Sequence, residues 1–353
     1  MVTEGGVGGE GLRAGEGLRS AEVDEHGREY LAKESWKSMG TEGGEETEER
    51  GIGSWDDLLT RLYGDVPRAE LLHVLWLAGT LFFIIGGYWL LRSLKDPIVV
   101  SLMGAKYIPR CKIVSLAVVL LLVLVYNRLV DTVPKHQLFY IIGSFYAVLF
   151  FAISIMLANP DTGLANTEPS PYRLLGWVSY CSIESFGSIT VSLFWAFTNS
   201  SMDYEGAKSS YGLIIAGAQL GSILGPSLAT QASTIGVSRL YFLGSLCPAA
   251  MVAMMWGYQR VFANRHTSGK GTSQPKGAGM MEGFHLLVQH HYLKGIFAIS
   301  CLFMVEVTIL DYTMKLLLAS VFQKDFPDDP ALATQHFVAF MGKFGQLTNG
   351  TVP

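Results

Sequence analysis

From Leu71 onward, long apolar runs alternate with short polar links. Each run approaches the roughly 20 residues that a helix needs to cross a hydrocarbon core. The pattern predicts spanning helices at 71–91, 113–130, 137–158, 174–198, 211–230, 239–257 and 292–320. Links such as "DTVPKHQ" and "NPDTGLANTEPSPYR" carry Pro134, Pro160, Pro169 and Pro171, which mark helix boundaries. After the seventh run the chain reads "HFVAFMGKFGQLTNGTVP", with no eighth apolar run. The expectation is an all-α integral membrane bundle that is truncated after it begins a second bundle.

The segments before and between the runs set the domain plan. Residues 1–53 are rich in Gly and Glu and are predicted to be a disordered tail, because they cannot bury enough surface to offset chain entropy. No transit peptide or secretory signal is evident in them. Over 54–70, Trp55, Leu58, Leu59 and Leu62 fall on one helical face, predicting a short interfacial helix. A six-helix bundle over 71–258 follows, then a basic Gly/Ser-rich linker over 259–283. Residues 284–353 read as the start of an incomplete second bundle.

Composition agrees with this division. Of 353 residues, 50% are hydrophobic and only 16% charged, against about 25% charged in soluble domains. The net charge of −4 averages an acidic tail with a nearly neutral remainder. No basic patch interleaved with aromatics points to nucleic acid. Cys111, Cys181, Cys247 and Cys301 have neither zinc nor disulfide-framework spacing. His285, His290 and His291 sit in an amphipathic elbow without an acid or Cys to complete a metal set. No P-loop or Ser/His/Asp pattern occurs, so neither an enzyme nor a metal or other cofactor is predicted. Gly217, Gly221 and Gly225 recur every four residues, a small-residue face for close helix contact.

Ionisable residues inside apolar helices carry the remaining signal, since each costs about 2.5–3.5 kcal/mol at mid-bilayer. Glu184 lies on a stripe with Tyr180, Ser188 and Ser192, every fourth residue. Glu306 has no partner at helical spacing, whereas Asp311 and Lys315 are four apart and can neutralise each other. In "LLRSLKDPIVV", Arg92 and Asp96 are likewise four apart, which leaves Lys95 over. Pro97 predicts a kink or break at this point. Two readings fit: Arg92 and Lys95 snorkel to headgroups at a helix end, or a broken helix presents cations to an anion. Spacing does not separate them.

The stretches "LLRSLKDPIVVSLMGAKYIP", "IESFGSITVSLFWAFTNSSMDYEGAKSSYGLIIAGAQLGSI", "FMVEVTILDYTMK" and "FVAFMGKFGQLTN" resemble the ATP/ADP translocases of plastids and intracellular bacteria. The resemblance implies a major-facilitator-like bundle, with about seven helices present of an expected twelve. It also implies exchange of ATP for ADP across a membrane, and a plastid envelope as one setting. Its intramembrane site residues fall here on Lys95, Glu184 and Glu306, with Arg92 beside them; Asp96, Asp311 and Lys315 are structural or coupling charges. In place of the family's E-V-x-W-K form the chain reads "EVTILDYTMK". Alternatives are a carrier of another nucleotide or organic anion, or a non-transporting membrane receptor or scaffold.

Overall fold

The computed structural model describes residues 68–351, apart from 167, 203, 263–284, 286 and 328. The expected tail (1–53), most of the expected interfacial helix (54–70) and nearly all of the expected linker (259–283) lie outside the described residues.

Among the described residues the architecture is all-helical, with eight long helices. They are α1 (Arg68–Met103), α2 (Ile108–Thr132), α3 (Lys135–Ala158), α4 (Leu174–Ser201), α5 (Tyr204–Ala229), α6 (Val237–Phe262), α7 (His291–Asp325) and α8 (Pro330–Thr351). Six of them, all but α4 and α8, belong to stretches long and apolar enough to cross a membrane. The chain is a multi-pass membrane protein. Helix α4, expected as a seventh span, is long but carries Ser179, Ser182, Ser185, Ser188 and Glu184, so it is not among those six. Three of these polar groups sit inside the bundle: Ser179, Ser182 and Ser185 are buried, and Tyr146 donates to the Ser185 hydroxyl at 2.8 Å.

Helix α1 is the spine. It contacts α4, α5, α6 and α8, and it ends at Gly104, whose φ of +94° is a conformation glycine adopts without strain. The Gly104 N–H closes the helix on the Val100 carbonyl at 2.9 Å. The expected interruption at Pro97 does not occur, and α1 runs through it for 36 residues. The residues after the proline explain why: Ile98, Val99, Leu102 and Met103 are almost fully buried. In hydrocarbon, unwinding this turn would strand several backbone groups, a larger cost than the one hydrogen bond that proline removes.

The glycine stripe does what its spacing predicts. A Cβ on Gly217 would lie 2.8 Å from the Ala78 carbonyl oxygen, and one on Gly221 would lie 2.6 Å from that of Phe82. Gly225 is equally tight against Gly86. Helices α1 and α5 therefore touch backbone to backbone, the close approach that drives association where lipid removes the hydrophobic effect. On the other side of the bundle, Tyr146, Phe150, Phe186 and Tyr241 stack edge to face between α3, α4 and α6.

The helix α8 was not foreseen as an apolar run, yet it packs on α5 and α1. A Cβ on Gly342 would meet the Pro226 carbonyl oxygen at 2.7 Å, and Asn349 donates to the Ser222 carbonyl at 2.8 Å. Helix α7 is the opposite case. Only Lys315 and Ala319 are buried along its 35 residues.

Candidate functional site

Consecutive residues on a helix point about 100° apart, so Lys95 and Asp96 leave α1 toward different neighbours. Lys95 faces α4, where its Nζ pairs with Glu184 Oε1 and lies 4.4 Å from the centre of the Tyr180 ring. Tyr180 and Glu184 are one turn apart on α4, so one ammonium meets both a carboxylate and a π face. Lys95 is 3% exposed. Below Glu184 the polar stripe emerges: Ser188 and Ser192 are exposed, and each donates to the carbonyl one turn earlier.

Asp96 faces α7. Its Oδ2 accepts from Lys315 Nζ at 2.7 Å, and the same ammonium reaches Asp311 Oδ2 at 2.7 Å. Lys112 on α2 approaches that Asp311 oxygen at 3.2 Å. The chain of charges Asp96–Lys315–Asp311–Lys112 thus joins α1, α7 and α2. Asp96 Oδ1 is buried and has no hydrogen-bond partner among the described residues.

Arg92 behaves differently from the sequence expectation, which paired it with Asp96. Its Nη1 donates to Tyr88 Oη at 2.7 Å, and its guanidinium stands 5.3 Å from the centre of the Trp89 ring. Asp96 is committed to Lys315 instead, a partner that local spacing does not reveal. Among the described residues Arg92 is exposed and makes no ion pair. Lys95, Lys112 and Lys315 balance Glu184, Asp96 and Asp311, so Arg92 is the surplus positive charge of the cluster. It opens onto a cleft of about 550 Å³ bordered by Trp89, Asp96, Lys112, Asp311 and Lys315, with Met304 and Phe344 among its apolar walls.

Glu306 is not brought to this cluster. It lies in the exposed stretch of α7, where every residue from 301 to 310 is exposed. Asp311 is the α7 acid that enters the network, four residues before Lys315, the spacing of acid and lysine in E-V-x-W-K. Lys112 was not foreseen as part of the site. Its position just inside an otherwise apolar helix, with no further charged side chain until Arg128, was the available signal.

A family model described as TLC ATP/ADP transporter matches residues 53–168, a stretch that includes Arg92, Lys95, Asp96 and Lys112. The chain is 25% identical over 324 residues to "ADP,ATP carrier protein 1, chloroplastic" of Arabidopsis thaliana, covering 82% of this chain and 50% of the relative. It is 29% identical over 323 residues to "ADP,ATP carrier protein 1" of Chlamydia muridarum, covering 79% of this chain and 58% of that protein. The chain is similar to proteins named as ATP/ADP carriers, and its residues 53–168 match the TLC ATP/ADP transporter model. A third relative, the "Plastidic ATP/ADP-transporter" of Solanum tuberosum, is 26% identical over 304 residues, covering 76% of this chain and 47% of its own length. The chain spans about half the length of the curated relatives it matches. No solved structure matches it significantly.

Proposed function

We propose that the protein exchanges adenine nucleotides, ATP for ADP, across a membrane by alternating access, without hydrolysing them. The observation that carries this reading is Arg92, a cation with no ion pair among the described residues, placed over an aromatic ring at the mouth of a cleft beside a neutralised charge network. A guanidinium is permanently charged and presents several donors in a fixed plane, which suits phosphate oxygens. Arg92 makes the first phosphate contact. Lys95 stands behind it, held by Glu184 until substrate charge competes for the ammonium.

In the same reading residues 71–258 form the first bundle, and α7 and α8 belong to the second. The Asp96–Lys315 pair joins the two and breaks and reforms as one bundle rocks against the other. Asp311, in place of Glu306, takes the role of the acid on α7, because it shares the network and has the motif's spacing to Lys315.

The test uses proteoliposomes containing the full-length protein, preloaded with ADP and offered labelled ATP. Preloading is expected to accelerate uptake strongly, and Arg92→Ala to reduce it about tenfold or more by loss of a charge-assisted contact. Uptake that ignores the internal nucleotide counts against exchange, and unlabelled organic anions that compete as well as nucleotides count against the substrate class. An intact Arg92→Ala variant removes Arg92 from the site.

A further inference from the structure

The cleft holds a second cation within reach of solvent. Lys112 Nζ shares Asp311 Oδ2 with Lys315, so one carboxylate oxygen serves two ammonium groups. The two lysines are held unequally. Lys315 sits at 2.7 Å from two carboxylates, with its side chain 5% exposed, whereas Lys112 sits at 3.2 Å from one, with its side chain 31% exposed. Charge-assisted N–H···O bonds settle near 2.7–2.9 Å, so Lys112 is the loosely bound partner. Ammonium offers three donors, and the structure occupies one of them with a side chain. Arg92 borders the same cleft from α1, and α2 brings Lys112 to its wall.

We infer that Lys112 is the contact that reads the length of the substrate's phosphate chain, with Asp311 standing in for the terminal phosphate when the cleft is empty. The inference rests on the nucleotide-exchange reading. Arg92 and Lys112 give the cleft two solvent-reachable cations on different helices, so a polyphosphate can meet both while a single phosphate meets one. As the phosphate engages Lys112, Asp311 keeps Lys315 as its counter-charge, and no carboxylate is left without a cation.

The experiment measures uptake of ATP and ADP, and inhibition by AMP, in proteoliposomes carrying the full-length protein. Lys112→Ala is expected to raise the KM for the triphosphate about tenfold, raise that for the diphosphate less, and leave AMP inhibition within about twofold. Lys112→Arg is expected to keep the preference for the longer phosphate chain. Equal shifts for all three nucleotides, or a change in kcat alone, would assign Lys112 to holding Asp311 and overturn the inference. Should Lys112→Ala fail to accumulate, Lys112→Gln carries the same comparison. Absence of nucleotide uptake by the unsubstituted protein overturns the exchange reading itself, and this inference with it. Uptake with an unaltered nucleotide ranking in the variant overturns only the role of Lys112.

Discussion

Helix α1 is attached to α5 and to α7 by two different kinds of contact. Against α5 it lies backbone to backbone along Gly217, Gly221 and Gly225, with no room for a methyl group. Against α7 it is held by the ion pair of Asp96 and Lys315. In lipid both can hold helices together, but they differ in reversibility. Dispersion across a glycine seam falls away steeply with separation, so the seam is either closed or lost. An ion pair can exchange one partner for another anion of similar charge, so it opens without leaving an orphan if a substitute arrives. The seam suits the interior of a rigid bundle, and the charge pair suits a joint that moves.

Substitutions can separate the two. The largest effect is expected at the seam, where Gly221→Leu drives a side chain into the Phe82 carbonyl and prevents α1 and α5 from closing. Loss of monodisperse protein on size exclusion in detergent is the readout, and normal assembly would show that the seam is not essential. The charged joint should respond less and in a way that can be repaired. Asp96→Ala leaves the buried Lys315 ammonium leaning on Asp311 alone, and removing one member of a buried pair costs about 3–5 kcal/mol. Adding Lys315→Met should recover much of that stability while transport stays impaired. Thermal unfolding of the single and double variants decides it, and equal destabilisation would argue that Lys315 packs mainly through its methylene stem. The smallest effect is expected away from both joints. Glu306→Gln should change unfolding by no more than about 0.5 kcal/mol, because the side chain is exposed and outside the network. A large loss of exchange in that variant would return Glu306 to the transport path.

Much of this fold could be read from the chain, because its strongest signals are local. Apolar runs set the helices, prolines set most of the links, and four-residue glycine spacing announced a close helix contact, whose partner α1 only the fold reveals. The stripe of Tyr180 and Glu184 also marked the face of α4 that meets Lys95. What escaped was non-local. Arg92 and Asp96 have ideal spacing for a mutual pair, yet Asp96 is taken by Lys315 from a distant helix, which leaves Arg92 to Tyr88 one turn earlier on its own helix. Pro97 carried a correct local rule that burial of Ile98, Val99 and Leu102 overrode. Glu306 drew attention because it lacked a local partner, and among the described residues it stays outside the charge network. Helix α8 stayed hidden because its glycines and polar residues lower its apolarity while serving its contact with α5.

The near-bare surface of α7 has a consequence for biogenesis. A helix carrying Glu306, Asp311 and Lys315 enters a bilayer reluctantly, each charge near its centre opposing insertion by about 2.5–3.5 kcal/mol. Its own Asp311–Lys315 pair relieves part of that penalty, and Asp96 of α1 relieves more. Helix α1 is synthesised long before α7, so the acceptor already stands in the membrane when the seventh helix leaves the ribosome. Asp96 thereby acts as a docking post for a late segment, and the order of synthesis becomes part of how the charge cluster is assembled.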